Sequence, residues 1–107
     1  MVCVVVKPTI TTYVHPIDIT VHPTYPPGYR WAVHLGDDGP TNISRCIQAG
    51  HSPTMAEAEA TRDSHAAAVC VAITMFGIGV RLEHQTLTSD PIPAEADSLP
   101  LKIVRGN

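Results

Sequence analysis

Residues 43–76, ISRCIQAGHSPTMAEAEATRDSHAAAVCVAITMF, change hydrophobic period partway along, and that change constrains the fold more than any other feature of the chain. Ile43, Arg45, Ile47 and Ala49 alternate with Ser44, Cys46 and Gln48, the period-two pattern of a strand. Gly50 reads as the end of that strand and Pro53 as a block to further pairing. Thr54 followed three residues later by Glu57 is a capping box, in which each side chain satisfies a backbone N–H that a helix start leaves orphaned. Glu57 and Glu59 also complement the positive end of the helix dipole. A helix is predicted over about 54–76.

That helix differs between its halves. Glu57, Glu59, Arg62 and Asp63 make the first half amphipathic, whereas every residue from Ala66 to Ile73 is apolar. A helix that is apolar all round needs cover all round. Val69, Ile73 and Phe76 share a stripe expected to face a sheet, while Ala66, Ala67, Cys70 and Thr74 are small enough to let another element approach closely. A second copy of the helix would supply that cover. Gly77 suits the left-handed position just past a helix end.

The other elements read as strands and turns. Val2–Val6 and Ile17–Val21 are β-rich runs, and HPTYPPGY at 22–29 is a loop whose prolines prevent ladder pairing. Tyr29, Trp31, Val33 and Leu35 alternate with Arg30, Ala32 and His34. GDDGPTN at 36–42 is a turn cluster, so 29–49 is predicted to be a β-hairpin. Val80–Thr86 alternates again and is expected to return beside the hairpin. The predicted fold is α+β: an antiparallel sheet of about four to five strands with one long helix on one face, in the order β-β-β-β-α-β. A single domain is expected over residues 1–88, followed by a Pro-rich acidic segment at 89–107 in which Asp90, Glu95 and Asp97 are solvated and 101–104 forms an edge strand.

Composition narrows the classes. With 107 residues, 44% hydrophobic and 16% charged, the chain is sized and composed for one globular domain rather than a disordered tail. Only 5% of residues are aromatic, so the core is aliphatic and of modest size. A net charge of −3 with its seven basic residues scattered singly argues against nucleic acid as a partner. The apolar run Ala66–Val80 is shorter than the roughly 20 residues that cross a bilayer, and MVCVVVKP has neither a basic n-region nor a cleavage site. A cytoplasmic protein with no membrane partner is expected.

No chemistry rises from the motifs. Cys3, Cys46 and Cys70 form no CxxC pair and read as free, buried thiols. His15, His22, His34, His51, His65 and His84 include no HxH, HxxxH or HExxH spacing, so no metal site is expected. Any site would have to be assembled by tertiary contacts. Two of the six lie in a short echo, TYVHPI and TVHPT. Asp37 and Asp38 sit in a turn, Ser64 and His65 point apart on a helix, and no nucleotide or hydrolase motif occurs, so neither catalysis nor a cofactor is predicted. YPPGYRW offers a partner contact through Tyr25, Tyr29, Arg30 and Trp31, since aromatic residues and prolines favour interfaces. Trp31 itself reads rather as a core residue, and Tyr25 and Tyr29 are the ones expected at the surface.

Cys46, Gly50, Thr54, Glu57 and Ala58 together resemble the strand-to-helix junction of HicB-type antitoxin domains, where a hairpin arm leads through a Gly turn and a Thr into an EA-rich helix. The likeness covers about a third of the chain. It lacks the family's Pro-Asp-Leu-Pro-Gly approach and a C-terminal DNA-binding element. The resemblance implies neutralisation of a small ribonuclease toxin. In its Arg, Ala, Val, Thr and Pro bias the chain is also similar to small accessory proteins of actinobacteria and their phages. The expected function is a non-enzymatic interaction module, a homodimer or a phage factor that binds a host protein, with the antitoxin as the alternative.

Overall fold

The computed structural model describes residues 7–92. The elements follow in the order β1 (Thr9–Pro16), β2 (Tyr29–Leu35), β3 (Cys46–Ser52), α1 (Met55–Thr74) and β4 (Arg81–Thr86), with a single 3₁₀ turn at Ile43–Arg45. The strands make one sheet in the order β3-β2-β1-β4. β2 is antiparallel to both of its neighbours and β4 is parallel to β1. The class is α+β, as the sequence predicts, but the sheet is mixed. β1 and β3 run the same way, α1 carries the chain back, and β4 therefore sets out in the direction of β1. It lies at the β1 edge and not beside the hairpin.

The strand expected at Ile17–Val21 does not form there. Ile17–Val21 turns: the N–H groups of Val21 and His22 both donate to the Asp18 carbonyl, and the Thr20 N–H donates to the Asp18 carboxylate. Aspartate offers the backbone a local partner that competes with a ladder. The strand lies at Thr9–Pro16, where every residue from Ile10 to His15 is buried. Both of its faces are covered, so Thr11 and Thr12 stand beside Ile10 and Val14 and no period-two signal survives. The expected strands at Val2–Val6 and 101–104, and the residues Cys3, Glu95 and Asp97, lie outside the described residues.

The hairpin forms as predicted, but its second arm starts at Cys46 and continues to Ser52. Ile43–Arg45 is drawn into the 3₁₀ turn. Gly50 does not end the strand. It pairs opposite Trp31, and a Cβ at that position would lie 2.7 Å from the indole ring, so the glycine marks a close approach within the sheet.

Thr54 caps α1, its hydroxyl accepting from the Glu57 N–H at 3.2 Å. The helix lies across β1, β2 and β3. Between helix and sheet sits the core, Ile10, Val14, Trp31, Val33, Ala58 and Ala66, with Val69, Cys70 and Ile73 packed against it. Phe76 does not join Val69 and Ile73 on the sheet side. The helix ends at Thr74, Gly77 takes φ +76°, and Phe76 falls in the terminating turn, 83% exposed.

Candidate interaction surfaces

The residues of α1 that touch the sheet recur at helical spacing: Ala58, Arg62 and Ala66, then Val69, Cys70 and Ile73. On the opposite side of the second half, Ala67, Ala68, Val71, Ala72 and Met75 are all exposed. Val71 is 57% and Met75 80% exposed, and beyond the helix Ile78 and Leu82 are also open to solvent. No Asp, Glu, Lys or Arg occurs from Ser64 to Val80. The helix thus carries a second apolar side that nothing in the described chain covers. β4 extends the same open region, since all six of its residues are exposed.

Under the first half of the helix the polar groups are paired. Arg62, buried among the apolar contacts, bonds the Asp63 carboxylate through Nε at 2.9 Å and Nη2 at 2.8 Å. Thr12 Oγ1 and His84 Nδ1 are 2.6 Å apart. Trp31 stacks on His65, with ring centres 4.7 Å apart, and His65 Nδ1 meets Gln48 Oε1 at 2.7 Å. Ser64 and His65 form no pair.

The pleat divides the expected contact residues Tyr25, Tyr29, Arg30 and Trp31. Trp31 is buried in the core and Tyr29 packs against its edge, on the helix side. Arg30, between them in sequence, points to the other face, where it borders a cavity with Tyr25. Only Tyr25 and Arg30 are brought together.

That other face is polar. His15 pairs in register with Arg30, and Arg30 with His51, so three nitrogen-bearing side chains form one cross-strand row. Asp90, expected to be solvated, is folded under instead, with its side chain 4% exposed. Its two carboxylate oxygens accept from the Asp18 and Ile92 N–H groups at 2.9 and 3.0 Å. His15 Nδ1 and His22 Nε2 lie 3.6 and 3.4 Å from the same carboxylate. They also donate to the Pro16 and Ile92 carbonyls, both at 2.8 Å. Burial pushes the His15 pKa below its ordinary value, against the raising effects of the Pro16 carbonyl and Asp90. The sequence echo around His15 and His22 therefore marks two histidines that meet one aspartate. The aspartate itself carried no local signal.

Burial raises the Cys46 and Cys70 thiol pKa values, which leaves them poor nucleophiles. Asp38 is exposed in its turn, 3.6 Å from Arg45. Among the described residues no cluster of three or more His, Cys, Asp or Glu side chains is placed to hold a metal ion. No described helix is long and apolar enough to cross a membrane. Comparison with protein families, with curated proteins and with solved structures finds no match.

Proposed function

We propose that this chain is a non-enzymatic protein-interaction module whose uncovered half of α1 receives a second copy of the same chain. The observation that carries this reading is the exposure of Val71, Met75 and Phe76 beside a helix half with no formal charge. An uncharged surface gives a charged partner nothing to complement, but it meets its own two-fold copy without repulsion. Ala68 and Ala72 flank Val71 along the stripe, and small residues there let two helix axes approach to about 8–10 Å. Burying Val71 and Met75 contributes about 1.5–3 kcal/mol each. In the setting its composition resembles, that of an actinobacterial or phage accessory protein, the homodimer is the form that acts in the cytoplasm and meets a host protein. Co-purification of two differently tagged copies tests the reading. The wild-type copies should recover each other, and a Val71→Glu/Met75→Glu pair should not. Failure of the wild-type copies to associate sinks the proposal.

The antitoxin reading keeps one specific support, the junction where Thr54 caps the helix and Ala58 is fully buried against the sheet. It requires the chain to inhibit a small basic ribonuclease encoded beside it. Unimpeded RNA cleavage at a molar excess of the chain excludes it.

A further inference from the structure

Arg30 lies on the face of the sheet away from α1, and its charge is left without an answer. Among the described residues it makes no hydrogen bond and no ion pair. It projects between His15 on β1 and His51 on β3, its register partners. The carboxylate that shares its cavity, Asp90, is engaged by two backbone N–H groups and flanked by His15 and His22. Asp90 does not come within pairing distance of the guanidinium.

Arg30 borders two cavities, of about 210 and 280 Å³, and Ile17 and Tyr25 border both with it. The first is walled by Ile43 and Ile92 together with His15, His22 and Asp90, the second by Pro26, Ala49 and His51. An unpaired planar fork therefore stands at the junction of two spaces, the first with mixed polar and apolar walls and the second with mainly apolar ones. Each volume is below the roughly 300–1,000 Å³ of pockets that hold drug-sized ligands, which selects a fragment-sized molecule over a nucleotide.

We propose that this groove binds a small organic monocarboxylate, its carboxylate bidentate on Arg30 and its apolar or aromatic body against Ile17, Tyr25 and Pro26. The guanidinium fork matches a carboxylate with two parallel N–H donors. Asp90 sets the charge that is accepted: its own negative charge in the cavity opposes a phosphate dianion more than a monoanion. His15, held neutral by burial, adds no second cation at neutral pH. The groove is independent of the α1 surface, so self-association and ligand binding stand or fall separately.

Titrating the full chain with phenylacetate, and following the Arg30 Nε–H and the ring protons of His15 and His51 by NMR, tests the site. Saturable shifts are expected, with acetate binding about tenfold more weakly because it lacks the apolar body. Phenylacetamide and inorganic phosphate should leave the signals in place. Arg30→Gln should abolish the phenylacetate response, and Tyr25→Ala, in a surface loop, should weaken phenylacetate about fivefold or more while leaving acetate unchanged. No saturable shift with phenylacetate overturns the proposal. So does phenylacetamide or phosphate binding as tightly as phenylacetate, or a Tyr25→Ala variant that loses nothing.

Discussion

The two halves of α1 are built from similar residues and placed differently. In the first half Ala58 sits at zero exposure in the core with Ile10, Val14 and Val33, and the outward positions carry Glu57 and Asp63. In the second half the inward positions are again filled, by Ala66, Val69, Cys70 and Ile73, but the outward ones are Ala68, Val71, Ala72 and Met75. The sheet is one layer and covers one side, so an apolar residue placed outward has no partner within the described chain. Apolar composition alone does not bury a side chain. A surface has to be present on its side, and among the described residues no second surface is present there.

The sharpest way to break this contrast is to place a charge on each half in turn. Ala58→Glu puts a carboxylate where there is no exposure, and should cost about 3–5 kcal/mol or prevent folding, as read by urea denaturation. If Ala58→Glu folds with wild-type stability, the first half is not the closed one. Gly50→Ala tests the same layer from the strand side. Its Cβ would sit 2.7 Å from the indole of Trp31, so either Trp31 or β3 must shift. The expected loss is about 1–3 kcal/mol, with a changed Trp31 emission spectrum.

How much of this was legible in the sequence depended on whether a residue's partner was close in the chain. The capping box at Thr54 and Glu57, the turn at 36–42 and the left-handed Gly77 are local devices, and each was readable because its chemistry acts within a few residues. β1 was missed because TITTYVHP is covered on both faces, and a central strand shows no alternation. Ile17–Val21 was misread because the Asp18 carboxylate and carbonyl satisfy its backbone locally. Gly50 has the same identity whether it breaks a strand or makes room for a ring, and only the position of Trp31 decides between them. On the face away from α1, Tyr25 and Arg30 came from their residue types. Asp90 did not, because it reaches its partners across 72 residues to Asp18 and nothing local distinguishes it from a solvated acid.

Smaller effects refine the contrast. Thr54→Ala removes the acceptor for the Glu57 N–H at the start of the closed half and should lower stability by about 1 kcal/mol, with Thr54→Ser nearly neutral in the same denaturation assay. Val71→Glu with Met75→Glu, on the open half, should change the stability of the isolated monomer by no more than about 0.5 kcal/mol. A substitution from aliphatic to charged on one helix would then be severe at residue 58 and silent at residue 71. A large monomer destabilisation from the Val71 and Met75 pair would mean that other parts of the chain already cover that side.

The central claim is that the open half of α1 is closed by a second copy of the chain. Sedimentation velocity over a dilution series tests it most directly. The wild-type chain should sediment as a dimer at tens of micromolar and dissociate on dilution, and the Val71→Glu/Met75→Glu variant should remain a folded monomer at every concentration. A wild-type chain that is monomeric throughout, or a variant that dimerises as the wild type does, would contradict the account.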